Sequence, residues 1–255
     1  MPSNLTARYL APIACVALCA VAQAQPVTTS LAPLKDNTLY ENPAGFFSNG
    51  AGEYLFVGRT ASRGGAAFRR GLMQFDFSSI PAGSQITSAR LTMSVNWFRG
   101  GALSVGLFPL LASWGEGISN AGGGEFGGGG GGAAAEANDA TWISRFNGGA
   151  AWATPGGDFS STSLANTSVS GNGLYQWSSP AMVAQIQAWF DAPQTNNGWL
   201  LKGPETSTGN AKRFGSRENA DPALRPSLEI TYVIPSPASA VALAGLGVVA
   251  LRRRR

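Results

Sequence analysis

The sequence predicts an all-β sandwich, and three observations carry that prediction. Short apolar runs alternate with period 2, the signature of strands buried on one face. Glycine, proline, asparagine and serine punctuate those runs, and 34 of the 255 residues are glycine. Only 13% of the residues are charged, too few for a charged disordered chain or a solvated helical bundle.

Taken in chain order, Glu53-Tyr-Leu-Phe-Val57 reads as a first strand. In Leu72-Met-Gln-Phe-Asp-Phe77, the residues Met73, Phe75 and Phe77 share one face, and Ile80-Pro-Ala-Gly-Ser84 is the turn that follows. Leu91, Met93, Val95 and Trp97 repeat the alternation, as do Leu103, Val105 and Leu107, and finally Leu228, Ile230 and Tyr232. One segment changes period. Ser178-Ser179 supplies an N-cap with Pro180 at the first helical position, and Met182, Val183, Ile186, Trp189 and Phe190 fall on one helical face. Asp191-Ala-Pro193 ends it, so one short helix is expected over about 180–191. Gly122 to Gly132 is nearly all glycine, without the following helix and Lys-Ser/Thr of a phosphate loop. It reads as a surface insertion between strands.

The ends read as address labels. Arg8, the apolar run Ala11–Ala22 and Ala22-Gln-Ala24 make a three-part secretory signal over residues 1–24, with cleavage expected after Ala24. At the other end, residues 234–255 hold Ile234-Pro-Ser-Pro237, an apolar segment Ala238–Leu251, and Arg252, Arg253, Arg254 and Arg255. Fourteen residues at the helical rise span about 21 Å, short of a bilayer core. Terminal arginines would hold that end on the cytoplasmic side of an anchor helix. Without these segments the remainder carries 13 basic against 14 acidic residues, a net charge of −1. The basic excess therefore belongs to the ends, and no nucleic-acid partner is expected. Residues 25–233 are expected to form one domain.

No histidine occurs, and the only cysteines, Cys15 and Cys19, fall within the signal segment. These absences exclude a Ser-His-Asp triad, a Cys-His dyad, a histidine-ligated metal and a disulfide in the mature domain.

The tail resembles the PEP-CTERM class of bacterial sorting segments through Pro235, Pro237 and the arginines, with Ser236 where that motif usually has Glu. The resemblance implies a transpeptidase-like exosortase as processing partner. The middle resembles DNRLRE domains. The matching pieces are Lys35-Asp-Asn-Thr-Leu-Tyr-Glu41, Ser48-Asn-Gly50, Leu55-Phe-Val-Gly58 and Arg69-Arg-Gly-Leu-Met-Gln-Phe-Asp-Phe-Ser-Ser-Ile-Pro81 leading into Ile86–Leu91. They continue with Ser113-Trp-Gly-Glu-Gly117, Asp139-Ala-Thr-Trp142, Trp152–Phe159, Gly198-Trp-Leu-Leu-Lys202, Arg213-Phe-Gly-Ser-Arg-Glu218 and Arg225–Tyr232. The resemblance implies a jelly-roll-like antiparallel sandwich of a kind often found as a noncatalytic module on secreted bacterial proteins, with relatives associated with polysaccharide binding.

Three kinds of site follow. Sugar recognition by sandwiches uses flat exposed rings, so Trp114, Trp142 and Trp152, in turn-rich sequence around the glycine insertion, are candidate platforms with Glu116 and Asp158 at the rim. Trp189 and Trp199 read as core. Glycoside hydrolysis needs two carboxylates across a cleft, and Glu116, Glu125, Glu136, Asp139 and Asp158 lie in one loop-rich region, though no motif singles out a pair. A structural calcium would use hard oxygen donors, for which Asp36, Asn37, Glu41 and Asn49 are candidates. Arg69, Arg70, Arg213, Arg217 and Glu218 read as ion pairs tying strands together rather than as an anion site. The expected function is noncatalytic binding or organisation of extracellular polysaccharide at the cell surface. A polysaccharide hydrolase or lyase using loop carboxylates and a purely structural envelope protein are the alternatives.

Overall fold

A computed structural model describes residues 25–61, 67–122 and 128–235. The signal segment with Ala24, Glu125 in the glycine insertion, and the sorting residues Pro237 and Arg252 to Arg255 lie outside them. Residues Gln25–Ile234 form one compact unit. Among the described residues no helix is long and apolar enough to cross a membrane.

The fold is all-β and sandwich-like. Among the described residues thirteen strands run in order: β1 (Pro26–Leu31), β2 (Pro33–Tyr40), β3 (Phe47–Ser48), β4 (Tyr54–Arg59), β5 (Phe68–Phe75), β6 (Gln85–Phe98), β7 (Leu103–Pro109), β8 (Ala133–Ala134), β9 (Ala165–Val169), β10 (Gly173–Trp177), β11 (Trp199–Lys202), β12 (Lys212–Gly215) and β13 (Ser227–Val233). Every pairing is antiparallel. One face of the curled sheet gathers β1, β13, β10 and β12 around the long β6, and β12 leads to β4. The other gathers β2, β5, β11, β7 and β9. The two are joined where Gly58 and Arg59 of β4 pair with Arg69 and Phe68 of β5. β3 and β8 make a separate two-stranded ribbon.

The alternating residues do what their period requires. Met73, Phe75, Leu91, Met93, Val95, Leu103, Val105, Leu107, Leu228 and Ile230 are all buried between the two faces. Trp97 leaves the pattern because Arg213 pairs with Trp97 but Phe214 pairs with Val95, so Asn96 is an extra residue. The bulge rotates the chain, and Trp97 ends half-buried. The helix α1 (Pro180–Asp191) has its N-cap at Ser179, whose Oγ accepts the Met182 N–H at 3.0 Å. Met182, Ile186 and Trp189, one or two turns apart, seal one end of the core.

A second core lies outside the sandwich. Leu39, Leu72 and Leu200, on the far face of β2, β5 and β11, pack with Leu110, Trp114, Ala140, Trp142 and Trp152. That face is covered by the long connection from β7 to β9, which among its described residues contributes only the two-residue β8 and isolated bridges. Strands β5 and β11 are therefore buried on both sides, which explains the unbroken apolar run Trp199-Leu200-Leu201.

Candidate functional site

The covering layer holds most of the residues singled out in the sequence. It places the tryptophans differently from expectation. Trp114, Trp142 and Trp152 retain only 1%, 8% and 5% of their surface. Trp114 Nε1 donates to the Asn197 carbonyl and Trp152 Nε1 to the Thr141 carbonyl, both at 2.9 Å. Trp142 lies under the Arg70 guanidinium, 4.7 Å from its ring centre. These rings are the anchors of a second core and present no flat face to a sugar. The layer needed large apolar side chains because it has few ladders to hold it, and burial of such rings supplies the missing free energy. Trp189 and Trp199 are core residues, as expected.

The loop carboxylates are likewise built in. Asp158 accepts the Ala153 and Thr154 N–H groups, each at 2.9 Å. Asp139 is fully buried and accepts the Glu136 N–H at 2.7 Å; burial pushes its carboxyl up. Gly117, with φ of +73°, turns the chain directly against Asp139, where any Cβ would lie 1.5 Å from Oδ1. Glu116 does not pair with Asp158 across a cleft. It faces inward, to β2 and to the turn after β12.

Three segments far apart in the chain meet there. The Asp36 N–H donates to Glu116 Oε1 at 2.8 Å. Arg217 grips Glu116 with both arms, Nε to Oε1 at 2.7 Å and Nη2 to Oε2 at 2.8 Å. The same Nε lies 2.8 Å from Glu218 Oε1, while the Arg217 N–H donates to Asp36 Oδ2 at 2.7 Å. Oxygens of Asp36, Glu116 and Glu218 fall within 4.8 Å of one another. Burial, followed by the neighbouring Glu218 charge, drives the Asp36 carboxyl well above the carboxylate range. Burial pushes Glu218 to about 7 despite the opposing pull of Arg217. Lys35 completes the surroundings: its Nζ donates to the Trp114 carbonyl and sits over that ring, and burial lowers it to about 8.

Of the four residues expected to hold calcium, only Asp36 enters this cluster. Asn37 is a rivet: its Oδ1 accepts the Thr38 and Asn49 N–H groups, and its Nδ2 reaches the Glu116 carbonyl at 2.7 Å. Asn49 joins Ala121 to Tyr54, and Glu41 Oε2 accepts the Phe68 N–H. These side chains are occupied by backbone groups that lack strand partners, the commoner use of Asn and Glu beside turns. The ion-pair expectation is met at Arg217 and Arg70. Arg217 is paired as above, and Arg70 makes a two-armed ion pair with Glu205 at 2.7 and 2.9 Å. Arg69 stacks on Tyr40, 4.7 Å from its ring centre, and Arg213 lies over Tyr54 at 4.0 Å and donates to Asn96 Oδ1 at 2.9 Å.

Sequence reasoning missed two features. The convergence of Asp36, Glu116 and Glu218 had no linear signal, because the three lie in segments far apart in the chain. The other is Phe46, which keeps 64% of its surface and stands with Phe98 as the exposed aromatic residues among those described. It borders a groove of about 430 Å³ between the β3–β8 ribbon and Asn147. Two larger cavities, about 830 and 590 Å³, flank α1 and are lined mainly by Ser, Ala and apolar side chains.

No protein-family model matches the chain, and no curated protein matches it.

Proposed function

We propose that this chain is a noncatalytic β-sandwich protein, exported and held at the cell surface, that binds or organises extracellular polysaccharide. The jelly-roll topology, the signal cleavage at Ala24 and the exosortase-read tail are parts of the same reading. The observation that carries it is the exposed Phe46 ring beside its groove. A flat ring offers its face to the C–H groups of a pyranose, beside a groove whose lining includes Asn147. The ring stands on a rigid support. The Phe46 carbonyl accepts the Ala135 N–H at 2.8 Å, and Asn147 Nδ2 ties Ala135 and Glu136 from the other side. Ground already fixed before binding loses little entropy when a chain of sugars lies on it.

The test is retention of residues 25–234 on a panel of insoluble and gel-immobilised polysaccharides, with reducing-end release assayed in the same tubes. Retention without release, weakened at least tenfold in Phe46→Ala while Tm holds, is the expected result. Release of reducing ends would replace this reading with a carbohydrate-active enzyme. No retention on any polymer, with self-assembly instead, would leave a structural envelope protein.

A further inference from the structure

Four buried side-chain nitrogens and oxygens among the described residues have no hydrogen-bond partner, and the two oxygens among them belong to one cluster. They are Asp36 Oδ1 and Glu218 Oε2. Asp36 has no exposed surface at all. A partnerless buried carboxylate oxygen costs the full loss of its hydration, and two of them beside a third carboxylate add like-charge repulsion. A fold keeps such an arrangement where something else meets those oxygens.

The surrounding bonds show what is missing. Arg217 and the backbone hold Glu116, Glu218 Oε1 and Asp36 Oδ2 in place. Each bond fixes an orientation and leaves Asp36 Oδ1 and Glu218 Oε2 uncommitted. When ionised, the three carboxylates outnumber the Arg217 guanidinium and the nearby Lys35 ammonium, an excess of negative charge that a divalent cation would meet. Lys35 lies nearby with its ammonium on the neutral Trp114 carbonyl, so its positive charge offsets part of this excess without ligating the free oxygens. Oxygens that all lie within 4.8 Å of one another can share one calcium ion at about 2.4 Å each. Magnesium, at about 2.0–2.1 Å, demands a near-octahedral shell, whereas calcium accepts irregular ones. The side chains of Glu116 and Glu218 remain 19% and 21% exposed, so water can complete the shell from one side.

We propose that Asp36, Glu116 and Glu218 form a binding site for one calcium ion, which locks the loop-built layer onto β2 and onto the turn that follows β12. The site is independent of the Phe46 groove, so either can fail without the other.

The test is calcium uptake and melting of the purified chain after stripping with chelator. One calcium per chain is expected, with Tm raised by about 5–10 °C when calcium is at 100 times its Kd. Asp36→Asn and Glu218→Gln each remove one of the repelling charges without changing shape. Both are expected to melt close to the unmodified chain in chelator and to show no calcium response. If Asp36→Asn does not fold, Glu218→Gln at the partly exposed rim carries the same test. No uptake and no Tm change in millimolar calcium would overturn the proposal. So would uptake that survives in Glu218→Gln, or a Tm gain with magnesium but none with calcium.

Discussion

Two layers of this molecule are equally dry and held by different means. Between the sheet faces, apolar side chains alternate along strands whose backbone groups are satisfied by antiparallel ladders. Over the far face of β5 and β11, the connection from Leu110 to Leu164 buries Trp114, Trp142 and Trp152 almost as completely with hardly any ladder. There the backbone groups are met one at a time. Asp158, Asp139, Asn37, Asn49 and Asn147 each take up loop amides or carbonyls. The lesson is that burial does not require regular structure. It requires that every buried N–H and C=O find a partner, and short polar side chains can stand in for a neighbouring strand.

The strongest way to break the comparison is to remove one anchor from each layer. Trp177 is fully buried, donates to the Val105 carbonyl at 2.7 Å and packs on Phe214. Trp177→Ala should cost about 4 kcal/mol of global stability in denaturant titration. Trp152→Ala removes a comparable ring, yet its neighbours are loops with few ladder bonds. Its expected signature is local: hydrogen exchange quickens across residues 111–164 while the amides of β6 and β13 keep their protection. Equal loss of protection in both layers would mean that the loop layer has no separate unfolding step.

The two layers also differ in how far the sequence revealed them. Alternation named the strands of the inner core because burial on one side writes a period of 2. The helix was legible for the same reason, with Pro180 and Pro193 marking its ends. The loop layer has no period. Trp114, Trp142 and Trp152 looked like an exposed platform because turn-rich sequence usually lies on the surface, and the second apolar face of β5 and β11 could not be told from one continuous strand core. The carboxylate cluster was hidden more deeply. Asp36, Glu116 and Glu218 are joined by the way the loop layer and the turn after β12 fold against β2, a property of topology. Glu218 in particular read as one half of an ion pair, which it is, but its second oxygen is uncommitted.

A smaller effect probes the seam between the layers. Arg70 lies on β5, donates to the Gly156 carbonyl of the loop, covers the Trp142 ring and pairs with Glu205. Burial alone would push the Glu205 carboxyl up. The hydrogen bonds and charge of Arg70, helped by Lys202, more than offset this and hold it below its ordinary value of 4.5. A carboxyl lowered by folding adds stability that is complete above its unfolded value and fades as pH falls through the folded one. Glu205→Gln should therefore cost about 2 kcal/mol at pH 7. The gap between variant and parent should close progressively below pH 4.5, as read from chemical denaturation at stepped pH. A gap that stays constant down to pH 3 would show that shape, not charge, holds Arg70 in the seam.

The finest contrast lies in a single side chain that replaces a ladder. Asp158 accepts two consecutive amides, Ala153 and Thr154, and so closes the turn that brings Trp152 inward. The site is exposed enough for water to take over those N–H groups, so Asp158→Ala should cost only about 1 kcal/mol. Its effect should be confined to the turn. Exchange at residues 150–160 should rise and the Trp152 fluorescence should shift toward that of a wetter ring, while the strands on either side are unchanged. Asp158→Asn keeps one acceptor oxygen and should recover part of the loss. If both variants behave as the parent does, the turn is held by the Trp152 ring alone, and the polar side chains of the loop layer follow its packing rather than direct it.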